Sequence, residues 1–135
     1  MFSSALAADE VLVEVRVPIP PARTGGAYEK YPDPASGYAV VGVAAVVTLG
    51  GGDVVERARV AMTGLAPYAS RLVGVESALS GKPATAEQIE AAASRAAEGL
   101  EVRDTVGGDQ TYKANLARVY AKRAIDRANN GARTA

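Results

Sequence analysis

Four residues, Gly50-Gly51-Gly52-Asp53, stand between two runs that both read as strands, and this constrains the fold more than any other feature. Residues 38–49 (YAVVGVAAVVTL) are almost wholly apolar, as suits a strand covered on both faces or one bent at Gly42. Residues 54–63 return with Val54, Ala58, Val60 and Met62 on one face and Arg57 and Arg59 on the other. Glycine supplies the positive φ angles of tight hairpin turns, so the two runs are predicted to pair antiparallel. A phosphate-cradling loop is the competing reading of three glycines. Such a loop leads from a strand into a helix N-terminus, whereas this one leads into another strand. Neither G-x-x-x-x-G-K-[ST] nor G-x-G-x-x-G is present.

A third strand is predicted at residues 10–17 (EVLVEVRV), where Val11, Val13, Val15 and Val17 alternate with other residues at period two. Pro18, Pro20 and Pro21 end it, since proline cannot donate to a ladder. Residues 1–9 read as a leader or linker, and residues 10–135 as the domain. Residues 22–37, rich in Gly, Pro and Tyr, read as a loop. Helices follow the strands. After Pro67, Leu72, Val75 and Leu79 recur at helical spacing before a stop at Gly81. Thr85-Ala86-Glu87-Gln88 is a capping-box signature that opens an alanine-rich helix through about Glu98. Gly107-Gly108-Asp109 introduces the last helix, with Asp109 as N-cap, a stripe of Tyr112, Leu116, Val119 and Tyr120, and an end at Asn130-Gly131. Strands first and helices after give an α+β fold: a three-stranded antiparallel sheet packed on a C-terminal bundle of about three helices.

At 135 residues the chain is long enough for one domain with a real core. It has no histidine and no cysteine, which excludes Ser-His-Asp triads, Cys nucleophiles, disulfides and thiolate metal sites. Fifteen basic and fifteen acidic residues balance, which argues against a nucleic-acid-binding module. There is no signal-peptide pattern and no apolar run of membrane-spanning length, so a cytoplasmic location is expected. The last helix and tail carry Lys113, Arg118, Lys122, Arg123, Arg127 and Arg133 against Asp126. They read as a solvated face with favourable charge near the helix C-terminus, with docking to an acidic partner left open. Glu87 and Glu90 lie one turn apart on an amphipathic helix and read as solubilising rather than catalytic. No active site belongs to the chain by itself.

Gly25-Gly26-Ala27-Tyr28 reads two ways. It is an ordinary loop with a buried tyrosine, or a place where bare backbone and a tyrosine ring approach a flat ligand. The pattern alone favours the ordinary loop.

Several segments in order, EVRVPIPP, TGGAYEKYPDPASGYAVVGVAAVV, GLAPYASRLVGVESALSGK and GGDQTYKANLARVYAKRAIDRA, carry a resemblance that runs from about Glu10 to Ala128. They resemble the C-terminal domain of the FAD-carrying medium subunit of molybdenum hydroxylases, of the aerobic carbon monoxide dehydrogenase type. The resemblance implies a domain that covers one side of the flavin ring, with Gly25, Gly26, Ala27 and Tyr28 in the flavin-facing loop and Tyr28 beside the ring. Lys30 is within reach of that region and is given no role. The implied partners are the FAD-binding domains of the same subunit, an iron–sulfur small subunit and a molybdopterin large subunit. The family's two preceding domains, which hold the FAD pyrophosphate, have no counterpart in these residues, so the chain alone is expected to hold FAD weakly or not at all. The alternative is a stand-alone interaction module of the same fold that does not bind flavin.

Overall fold

The computed structural model describes residues 5–66, 68–99 and 108–135. Expectations that touch residues 1–4, Pro67 and Gly107 lie outside them. The sheet has four strands in the order β1 (Thr24–Pro32), β2 (Ala39–Leu49), β3 (Val55–Thr63) and β4 (Ser70–Arg71), each antiparallel to its neighbour. Three helices follow, α1 (Val73–Leu79), α2 (Ala86–Ala93) and α3 (Gln110–Thr134). The α+β class and the β2–β3 hairpin agree with the sequence reading. The strand count and the identity of the first strand do not.

Residues 10–17 form no strand. Val11, Val13, Val15 and Val17 are 74–88% exposed, and no strand among the described residues pairs with them. The place beside β2 is taken instead by Thr24–Pro32, within the stretch that read as a loop. Its alternation is concealed because small residues fill both faces. Gly25, Ala27, Glu29 and Tyr31 turn toward the helices, and Gly26, Tyr28 and Lys30 turn away. Gly25 is glycine because α3 passes directly over it: a Cβ there would lie 2.0 Å from the Ala128 carbonyl oxygen and 2.4 Å from the Ala132 nitrogen. The fourth strand, β4, is only two residues long and carries no pattern of its own.

At the hairpin, Gly52 takes φ 64° and Asp53 φ 56°, the left-handed conformation the turn needs. Register shifts between Thr48 and Leu49, so Val55 rather than Val54 enters the core beside Ala58, Val60 and Met62. Arg23 closes the turn from the start of β1, donating to the Gly50 carbonyl and pairing with Asp53. Arg133 of α3 meets the same carboxylate at 3.3 Å.

The helices also depart from their expected limits. Thr85 accepts from the Gln88 N–H at 3.3 Å, but the Gln88 side chain donates to the Ala78 carbonyl instead of returning to the cap. The helix that was to reach Glu98 ends at Ala93. Ser94 then opens tighter turns, in which Arg95, Ala96 and Glu98 each bond three residues back. Asp109 caps α3 as predicted, accepting from the Tyr112 N–H at 2.8 Å. That helix continues past Asn130-Gly131 to Thr134, because Gly131 is there for close contact with Gly25 rather than as a stop. Its buried stripe is Leu116, Ala117, Ala121, Ala124, Ile125, Ala128 and Ala132, not the tyrosines and Val119. Alanines let the helix axis approach the sheet.

The core thus lies between one face of the sheet and the three helices. At the β3 edge, where β4 stops, the Glu76 carboxylate of α1 accepts the Val60 N–H at 2.8 Å, and the Val60 carbonyl accepts from Leu72 at 2.8 Å. Arg71 closes on the same carboxylate with two bonds of 2.5 Å, and Arg59 stands 3.8 Å away. Burial pushes the Glu76 carboxyl up, but the Arg71 bonds, the Val60 N–H and the two guanidinium charges outweigh it and hold the group below its ordinary value of 4.5. Several cations of α3 have partners within the chain: Lys113 is buried, Arg118 donates to the Ser94 carbonyl, Lys122 pairs with Glu90 at 2.8 Å, and Arg127, 72% exposed, with Glu29 at 2.8 Å. They tie the helix to its neighbours.

Candidate functional site

Part of the sheet face turned away from the helices is open, and there small residues stand beside Tyr28 and Lys30. Reading across strands in register, Gly26, Val46 and Arg59 form one rung, Tyr28, Ala44 and Ala61 the next, and Lys30, Gly42 and Thr63 the third. Tyr28 is 51% exposed, and its ring lies across Gly42. A Cβ at Gly42 would meet the Tyr28 hydroxyl at 2.2 Å, so this glycine makes the bed on which the ring rests rather than bending the strand. Gly26 has open space where a side chain would be, with the nearest atom 3.9 Å from an added Cβ.

The four predicted site residues therefore divide. Gly26 and Tyr28 present themselves on the open face. Gly25 and Ala27 point into the helix layer, where Gly25 serves packing and Ala27 lies against the core. They sit on a strand rather than a loop, and the alternation of that strand forces the split. Tyr28 is not the buried tyrosine of the ordinary-loop reading.

Next to Tyr28 is a cleft of about 360 Å³ lined by Tyr28, Lys30, Gly37, Tyr38, Ala39 and Thr63. Its outer wall is the β1–β2 connection, which is tightly organised. The Asp33 carboxylate accepts from the Ser36 N–H at 2.8 Å, the Ser36 hydroxyl at 2.8 Å and the Ala35 N–H at 3.1 Å. These bonds, led by the Ser36 N–H, hold the Asp33 carboxyl below its ordinary 3.8. The Asp33 N–H donates to the Tyr38 carbonyl at 2.7 Å, Gly37 takes φ 70°, and Lys30 Nζ donates to the Gly37 carbonyl at 3.0 Å. Tyr38, 81% exposed, is thereby held among the residues that line the cleft with Tyr28. Tyr38, Gly42 and Thr63 escaped the sequence reading as site residues. The signal available was register: once β1 is a strand, Tyr28 and Lys30 share a face with Gly42 and Thr63.

No helix among the described residues is long and apolar enough to cross a membrane. Residues 26–128 match the family model for the CO dehydrogenase flavoprotein C-terminal domain. The chain is 39% identical over 127 residues to the carbon monoxide dehydrogenase medium chain of Hydrogenophaga pseudoflava, covering 94% of this chain and 44% of that one. It is 33% identical over 132 residues to the 6-hydroxypseudooxynicotine dehydrogenase complex subunit alpha of Paenarthrobacter nicotinovorans, covering 98% and 45%. In structure it matches carbon monoxide dehydrogenase from Hydrogenophaga pseudoflava lacking the Mo-pyranopterin moiety of the molybdenum cofactor. That match has a TM-score of 0.82 and 39% identity, over 93% of this chain and 44% of the other. The chain spans less than half the length of these relatives.

Proposed function

Because the chain belongs to the CO dehydrogenase flavoprotein C-terminal domain family, we propose that it covers one face of FAD in the medium subunit of a molybdenum hydroxylase, with Tyr28 against the isoalloxazine ring. The observation that carries this reading is a half-exposed tyrosine ring on a sheet face built from Gly26, Gly42, Ala44 and Ala61. Such a face fits a flat ring: no side chain at Gly26 holds the ligand off, and the tyrosine is already laid down by its contact with Gly42.

Bound FAD supplies the electron relay between the metal centres of the complex and an external acceptor. The residues of this chain do simpler work. Tyr28 stacks, Gly26 permits close approach, and the surrounding small apolar residues exclude water from that side of the ring. The FAD-binding domains of the same subunit hold the cofactor's pyrophosphate, and the chain by itself is not catalytic. An iron–sulfur small subunit and a molybdopterin large subunit complete the complex, and its proposed location is the cytoplasm. Relatives named for carbon monoxide and for 6-hydroxypseudooxynicotine carry this domain, so substrate choice is assigned elsewhere.

The test is to purify the chain gently from its source cells and record the visible spectrum of what accompanies it. Flavin and iron–sulfur bands together with two larger chains support the reading. If the chain supplied to the FAD-binding domains restores no flavin retention, the flavin-covering role fails.

A further inference from the structure

Among the described residues Lys30 is the one charged side chain lining the cleft beside Tyr28. It follows Tyr28 on the same face of β1 at about 7 Å, the i, i+2 repeat of a strand. The adjacent acid, Glu29, is on the opposite face and engaged with Arg127 at 2.8 Å. Lys30 uses one N–H on the Gly37 carbonyl at 3.0 Å, and an ammonium has three to give. Tyr38 lines the same cleft, its backbone held by Asp33 and the residue 81% exposed. A cleft lined by two tyrosines and one ammonium suits a flat ring with an electron-rich edge.

We propose that Lys30 and Tyr38 complete the flavin-facing site: Tyr38 is a second wall for the ring edge, and the Lys30 ammonium meets the electron-rich edge of the isoalloxazine. This rests on the reading of Tyr28 given above and deepens it. A positive charge there favours the reduced flavin, whose extra electron density lies in the ring, over the oxidised one. By linkage, a site that binds the reduced ring more tightly raises its midpoint potential. Lys30 is a positioning residue as well, since its bond to Gly37 ties β1 to the segment that presents Tyr38.

The experiment is a redox titration of the flavin-loaded medium subunit that contains this domain, monitored by flavin absorption. Lys30→Met is expected to remove a preference of about tenfold for reduced flavin and so lower the two-electron midpoint by about 30 mV. Lys30→Arg, which keeps the charge, is expected to restore it. Tyr38→Leu is expected to raise flavin fluorescence severalfold, because a tyrosine ring at the flavin edge quenches it. A midpoint unchanged by Lys30→Met overturns the role of Lys30, and fluorescence unchanged by Tyr38→Leu overturns that of Tyr38. If Lys30→Met loses the flavin while the urea unfolding of the 135-residue chain is unchanged, the result supports the proposal, since the fold is intact and the ring has lost its cation. If instead Tyr28→Ala alters neither spectrum nor potential while Lys30→Met still lowers the potential, the stacking role of Tyr28 fails and that of Lys30 stands.

Discussion

Residues 10–17 and β1 are a few residues apart and make opposite cases. The first has four valines at period two and forms no strand; the second has two glycines, an alanine and a glutamate among its first six residues and forms nine residues of sheet. Period two states that a segment has two different faces. It does not state that a sheet is available to receive one of them. A strand needs a neighbouring edge for its backbone and a covering layer for its apolar side. β1 has both, because β2 bonds to it and α3 lies over it. The valines of residues 10–17 have neither among the described residues.

The sharpest way to break this comparison is at Gly25, where the covering helix touches the strand. Gly25→Ala places a methyl group 2.0 Å from the Ala128 carbonyl oxygen, and backbone must move to admit it. A loss of about 3 kcal/mol or more is expected in urea unfolding of the chain. A loss under about 0.5 kcal/mol would remove close helix packing as the reason β1 is a strand.

Next in size is the contrast between valines that have a core and valines that have none. Val43, fully buried on β2, is expected to cost about 2 kcal/mol as Val43→Ala. Val13→Ala in the same chain is expected to stay within about 0.5 kcal/mol, since its side chain is 88% exposed. Equal effects, read by thermal or urea unfolding, would mean that residues 10–17 pack somewhere after all.

The stretch of β3 beyond β4 gives a smaller, pH-dependent test. The β3 edge is capped by Glu76, whose folded carboxyl is held below its ordinary 4.5, so the folded state favours the charged form. That stabilisation is present above pH 4.5 and is lost as pH falls through the lower folded value. Glu76→Gln is expected to cost about 1–2 kcal/mol at pH 7, discounted because Arg71 is 45% exposed, and to flatten the acid limb of the stability curve. An unchanged acid limb in the variant would show that the cap contributes nothing.

The smallest effects belong to the open face. Tyr28→Ala is expected to cost no more than about 1 kcal/mol of stability, since the ring is half exposed and rests on one strand. Gly26→Ala is expected to stabilise the chain by about 0.5 kcal/mol, because alanine is less costly than glycine inside a strand and meets open space. Opposite signs for alanine at Gly25 and Gly26, measured side by side, would display the two faces of β1 directly.

Much of the helical layer was legible. Leu72, Val75 and Leu79 mark α1, Gly81 its stop with φ 72°, Thr85 and Asp109 the caps of α2 and α3. These are local interactions, set by residues within a turn of one another, and a sequence states them openly. Of the candidate site, the motif Gly25–Tyr28 was visible, with Lys30 within reach and given no role; Gly42 and Tyr38 come to it across a strand pairing that no local pattern announces.

The amino-acid order by itself determined the β2–β3 hairpin, the caps, the α+β class and the absence of histidine and cysteine chemistry. Each follows from the backbone preferences or functional groups of adjacent residues. The tertiary structure decided which period-two segment becomes the first strand, that Gly25 packs and Gly26 faces outward, and that α3 runs through Gly131. These depend on whether a second element approaches closely enough to bond the edge and cover the face, a property of two distant segments together and of neither alone.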